Sequence, residues 1–245
     1  MVLVEIIGEP AVGKTHLALT FPKPFLFDTT PKMEARTIAY KVLGADASRR
    51  YMPVKNYPQL VEGLKAVLKR DDVKTVIIDT GADLQGMCVE YEVERKQRER
   101  LLPVEYGRIR EMIDTDITEA VIETDRNLVM TAQMDDEYLN GQKTGRRVPK
   151  GYKRMAFQAD IRIFLYLAPV EGSAGSAGEI EISPYGLSFT YVPGRATAKL
   201  IRKAVVIKNR YTDMTREGYT VIENPTAESI KNLIPQDIRS MEWME

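Results

Sequence analysis

Near the start of the chain, Gly8-Glu9-Pro10-Ala11-Val12-Gly13-Lys14-Thr15 sets two glycines, a lysine and a hydroxyl at the spacing G-x-x-x-x-G-K-[ST]. The chemistry this spacing suits is the holding of nucleotide phosphates. A polyphosphate carries several negative charges, and successive backbone N–H groups from Gly8 to Lys14 can form a concave anion nest around them. Gly8 and Gly13 permit the turns and the close approach, Lys14 neutralises the β and γ oxygens, and Thr15 offers a hydroxyl to Mg2+. A helix opening at Lys14, with His16 in its first turn, would aim its positive dipole end at the phosphates. Gly8 through His16 are therefore the candidate ATP contacts. The competing reading is a glycine-rich turn with no ligand.

Other residues are candidates for the rest of such a site. Asp79 ends the apolar run "TVIIDT" and is placed to complete the Mg2+ site with Thr15; its bland alternative is a cap after a strand. Asp28, closing "PFLFD", is a rival metal residue or a turn-forming one. Hydrolysis also needs a group to orient water and a cation for the charge developing on the γ-phosphate. Gln133, at the end of "NLVMTAQ", could bring its amide there, or merely open a loop as an exposed polar residue. Lys208 and Arg210 close "VVIKNR" and in an extended strand point to one side. They could meet one anion, lie solvated, or form a basic patch for another ligand. The catalytic candidates are thus Lys14, Asp79, Gln133, Lys208 and Arg210.

The elements that must position these groups alternate. Residues 2–7 read as a buried strand, the loop follows, and a helix runs from Lys14 to Thr20 until Pro22 and Pro24 stop it. "PFLFD" is a second strand. Leu60, Val61, Leu64, Val67 and Leu68 share a helical face within 57–69, and "VKTVIIDT" is a further strand. A charged helical stretch broken near Pro103 precedes "NLVMTAQ"; "ADIRIFLYLAP" and "AKLIRKAVVIKNR" are later strands, and "EIEIS" with "LSFTYV" reads as a hairpin. Strands alternating with helices predict an α/β fold with a mostly parallel sheet, here a single domain over 1–245.

Residues 135–154 are polar, glycine-punctuated and basic, and read as a long loop. Its Lys143, Arg146, Arg147, Lys150, Lys153 and Arg154, with Tyr138 and Tyr152 for stacking, suit a grip on single-stranded nucleic acid. A mobile, solvated loop that happens to be basic is the alternative. Residues 172–178, in "EGSAGSAGE", read as a flexible linker with the look of an engineered junction.

Composition bounds the rest. Thirty-five basic residues balance thirty-five acidic ones, so any nucleic-acid surface must be local. One cysteine, Cys88, excludes an intrachain disulfide, and one histidine leaves no zinc-ligand set. No apolar run approaches the ~18 residues of a spanning helix, and the amino terminus has no basic leader, so a cytoplasmic location without membrane association is expected.

In their order, Gly8 to Thr15, "FLFDTT", "TVIIDT", "EYGRIREMI", "LVMTAQ", "QADIRIFL" and "VVIKNRY" resemble the RecA-core ATPases, closest to the compact phage-type members. The resemblance covers about residues 2–215. It implies a RecA-like fold, ATP and Mg2+ binding, assembly into filaments or rings, and work on single-stranded DNA in annealing, recombination or repair, alongside a recombinase or single-strand-binding partner. It implies that Lys208 and Arg210 reach a neighbouring copy's ATP, that Gln133 couples the γ-phosphate to a DNA loop at 135–154, and that residues around 88–104 form another. One departure matters: Thr30 stands where the family carries a catalytic glutamate. Glu34 is a substitute in reach, or the protein binds ATP and, as a weak DNA-stimulated ATPase, hydrolyses it slowly. A P-loop kinase of small metabolites with 135–154 as its lid, and a non-hydrolysing regulatory subunit of a larger recombinase, are the competing readings.

Overall fold

In a computed structural model, which describes residues 1–169, 178–182, 187–191, 200–212, 219–236 and 239, the fold is built on one sheet. Six strands run parallel in the order β7 (Ile161–Pro169), β1 (Leu3–Gly8), β5 (Asn127–Leu139), β4 (Thr75–Asp79), β2 (Pro24–Asp28) and β3 (Tyr51–Pro53). Beyond β7 the sheet turns antiparallel with β10 (Leu200–Asn209) and β11 (Val221–Glu223). β1, β2 and β4 are buried along their whole length, as expected of strands covered on both faces.

Side chains alternate between two cores. On one face Phe25, Phe27, Val76 and Ile78 pack against Leu60 and Leu64 of helix α4 (Tyr57–Val67) and Leu84 of α5 (Gly81–Arg95). On the other Val4, Ile6, Leu26 and Ile77 pack against Leu17 of a helix we call α1 (Lys14–Ala18) and Ala39 of α2 (Arg36–Leu43). Asn56 caps α4 by accepting from the Gln59 N–H, and Thr80 caps α5 by accepting from that of Asp83. The expected break at Pro103 is present: a 3-10 turn, Pro103–Glu105, precedes α6 (Tyr106–Ile113), which continues through a π-helical stretch, Asp114–Glu119.

Two expectations are corrected. Residues 135–154 are not a long loop: β5 continues to Leu139, Asn140 and Gly141 turn with φ of 53° and 80°, and β6 (Gln142–Pro149) returns antiparallel. Two central residues at positive φ make the hairpin turn that Asn-Gly favours. The ribbon is mostly exposed or half-buried and polar, so it has no apolar alternation to betray it. Its charges pair across the strands, Lys143 and Arg147 both with Asp136. Nor is 88–104 a loop throughout, since α5 extends to Arg95. β8 (Gly178–Ile182) and β9 (Leu187–Tyr191) form the expected hairpin. Of the linker expected at 172–178, all but Gly178 lies outside the described residues. No helix among the described residues is long and apolar enough to cross a membrane.

Candidate nucleotide site

Parallel strands bring their carboxyl ends to one edge, and three of them build the site there. Gly8 stands opposite Gln133 in the β1–β5 register, and β4, the next neighbour of β5, ends at Asp79. The loop after β1 closes on α1 through Gly13, whose φ of 96° is left-handed. A Cβ on Gly8 would lie 2.4 Å from the Leu165 carbonyl oxygen, so only glycine lets the loop leave the sheet this close to β7. A cavity of about 340 Å3 is lined by Gly13, Lys14, Thr15, Asp79, Gln133 and Glu34, with Pro10, Ala11 and Thr30 among its walls. Larger cavities lie elsewhere, but among the described residues none pairs a glycine loop with a lysine and a strand-tip carboxylate.

The electrostatics suit an anion and a hard cation. Lys14 Nζ donates to the carbonyls of Gly8 (3.0 Å) and Glu9 (2.8 Å). Burial lowers its pKa to about 8, against the opposing pull of Asp79 and Glu9. Asp79 is buried at the tip of β4. Thr15 Oγ1 donates to its Oδ2 at 2.6 Å and the Thr131 hydroxyl to its Oδ1. Burial pushes the Asp79 carboxyl up, and those two hydroxyls pull it down. A hydroxyl and a carboxylate this close are an oxygen pair of the type Mg2+ takes, so Thr15 and Asp79 would hold the ion, which would neutralise phosphate charge when bound.

Asp28 has a different task. Its Oδ1 accepts from the Thr30 N–H (3.1 Å) and hydroxyl (2.6 Å), and its Oδ2 from the Ala35 N–H (3.1 Å) and the Tyr51 hydroxyl (2.9 Å). A carboxylate with four donors organises the turn after β2, which is the turn-forming alternative rather than the metal one. Thr30 is consumed by that turn, whereas Glu34 lines the cavity and its N–H donates to Thr30 Oγ1 at 2.9 Å.

Lys208 and Arg210 stand apart from the cavity. They do share a side: Lys208 Nζ donates to the Ala156 (3.2 Å) and Phe157 (2.8 Å) carbonyls, and Arg210 Nη2 to that of Gln158 (3.0 Å). Both therefore hold the carboxyl end of α8 (Met155–Gln158). Arg210 also pairs with Asp160 at 2.5 Å. Because β10 runs antiparallel, Arg210 lies level with Asp160 and Leu3. That is five residues below Gly8, or about 17 Å at 3.3 Å per residue.

The six ribbon and flanking cations are largely partnered. Lys143 and Arg147 pair with Asp136, Lys150 approaches Asp135 at 3.9 Å, and Arg154 meets Asp114 at 2.5 Å. Arg146 and Lys153 are exposed. Tyr138 is exposed, but Tyr152 is buried with its hydroxyl on Asp114, so its ring is not available for stacking.

Three functional contacts escape sequence reasoning. Thr131 had a signal, lying two residues before Gln133 on the same strand face. Arg147 Nη2 donates to Glu9 Oε2 at 2.8 Å, tying the ribbon to the phosphate loop. Arg202 Nε donates to the Val12 carbonyl at 2.9 Å. Neither arginine carries a local sequence mark, since each contact joins distant segments. Compared with known proteins, residues 2–179 match a family model described as an AAA domain. No curated protein matches the chain.

Proposed function

Because this chain belongs to the AAA domain family, a P-loop NTPase family, we propose that it is an ATP-binding protein of the RecA-like type that grips single-stranded DNA, with nucleotide acting between copies of the chain. Work in annealing, recombination or repair follows from such a grip. The observation that carries this reading is Gln133. It lines the phosphate cavity, and its strand continues without a break into the exposed β5–β6 ribbon that bears Lys143, Arg146 and Arg147. In this reading a shift at the γ-phosphate reaches a basic surface along one strand.

Lys208 and Arg210 sit too far from their own loop to serve it, which favours service to another copy's nucleotide. Thr30 favours slow turnover, since its hydroxyl is held by Asp28 and it has no carboxylate to offer. A regulatory subunit that binds ATP without hydrolysing it shares that support.

Binding of a fluorescent single-stranded oligonucleotide at low salt, with and without an ATP analogue, tests the proposal. Salt-sensitive binding strengthened by the analogue, with a rise in assembly size by light scattering, is the expected result. Protein that binds ATP but holds no strand at low salt overturns it.

A further inference from the structure

We propose that Arg202, with His16 and Lys41, forms the part of the nucleotide site that holds the α-phosphate and ribose side of a nucleotide bound to the same chain. The inference rests on the phosphate-loop reading and extends it to residues outside the motif.

The site has a direction. Asp79, Gln133 and Glu34 line the cavity with Lys14, and the terminal phosphate and Mg2+ belong beside that lysine and carboxylate. In such a loop the lysine serves the β and γ oxygens, and the backbone beyond it cradles the α and β phosphates. The nucleoside end must then leave past Gly13 and His16. Arg202 waits on that side. On β10 it pairs with Leu167, two residues beyond the Leu165 that lies level with Gly8, so it overhangs the loop edge of the sheet. Its guanidinium lies against Gly13: a Cβ there would come within 2.5 Å of Nη2, which adds a second reason for glycine at that position.

Only Nε of this guanidinium is engaged, on the Val12 carbonyl; among the described residues Nη1 and Nη2 have no hydrogen-bond partner. A half-buried planar fork with two unused nitrogens is suited to phosphate oxygens. Lys41 lies on α2, one turn after Ile38, which lines the same cavity. His16 is exposed in the first turn of α1, immediately after Thr15. A guanidinium with two unused nitrogens beside a phosphate loop is stabilised by an anion, and the bound nucleotide is the one this edge would receive.

Calorimetric titration with MgATP, MgADP and magnesium pyrophosphate tests this. Arg202→Ala should raise the Kd of MgATP and MgADP about tenfold or more, the value of one charge-assisted contact, while pyrophosphate, held by Lys14 and the loop, shifts less than about twofold. Equal losses for all three would make Arg202 a prop for the loop and overturn the inference. So would unchanged nucleotide affinities. The double variant His16→Ala/Lys41→Ala alters two exposed side chains and guards against misfolding of the first. It should weaken MgATP severalfold, and an unaltered Kd would also overturn the assignment. Wild-type protein that binds neither MgATP nor pyrophosphate would instead refute the phosphate-loop reading beneath it.

Discussion

Lys14 should make ATP binding weaken as pH rises through 8. Its ammonium is buried against the carbonyls of Gly8 and Glu9, and its pKa is lowered to about 8, below the ordinary lysine range. Phosphates favour the charged form, so binding must restore a proton to any molecule that has lost it. The sign follows: affinity is complete below pH 8 and falls above it, by up to a decade per pH unit until the pKa of the bound state is reached. Between pH 7 and pH 9 the charged fraction drops about tenfold, equivalent to about 1.4 kcal/mol of binding free energy. Little else near the loop titrates in that window. The pKa of His16 is lowered, so it is neutral throughout, the Cys88 thiol is pushed up to about 12, and Tyr51 is held above its ordinary value. The terminal phosphate has a second pKa near 6, already passed. Calorimetry from pH 7 to 9.5 in buffers of different ionisation enthalpy should show rising Kd and proton uptake of about one half at pH 8. Lys14→Arg, charged throughout, should flatten the profile. A wild-type Kd constant across this range, with no proton uptake, would refute the reasoning.

Asp79→Asn should abolish the gain that Mg2+ gives to ATP binding, leaving metal-free affinity nearly intact, as read from titrations with and without the ion. Arg147→Ala removes the tie between the ribbon and Glu9 and should cost about 1 kcal/mol, as for a part-exposed pair; amide exchange over 134–149 would rise about fivefold with little change in global stability. Leu60→Ala, at a fully buried position between α4 and the sheet, should cost about 2 to 5 kcal/mol in urea unfolding without altering the site.

The strands, α4 and the loop were legible because each rests on local pattern: an apolar run, a 3.6-residue stripe or a fixed spacing. Asp79 was legible because a parallel strand delivers its last residue to the phosphate edge. The ribbon was not, because its residues beyond Met134 are mostly exposed or half-buried charged and polar ones, which show no apolar alternation. Its Asn140-Gly141 turn was the one available mark. Short elements such as α2 were hidden for a different reason: only Ala39 of that helix is buried, too little for a stripe. Contacts such as Arg202 with Val12 join segments 190 residues apart, and only the antiparallel addition of β10 brings them together.

That one strand also separates two kinds of cation. Entering β10 at the phosphate edge, the chain places Arg202 over its own loop; leaving it, the chain carries Lys208 and Arg210 to the opposite edge, six to eight residues on and about 20 Å away. A rigid sheet cannot bend both ends onto one nucleotide. On the proposed function, cations at the phosphate edge act within one molecule and those at the far edge on a second. The two therefore differ under mass action. Loss of Arg202 should weaken nucleotide binding by the same factor at any protein concentration. Loss of Lys208 and Arg210 should weaken it only where copies associate, the effect vanishing on dilution to the monomer. Titrations of both variants across a hundredfold range of protein concentration, with sedimentation to report association, would separate them. A Lys208→Ala/Arg210→Ala defect that persists undiminished in dilute monomer would show that the far edge acts through α8 inside one chain, and the two-copy assignment would fall.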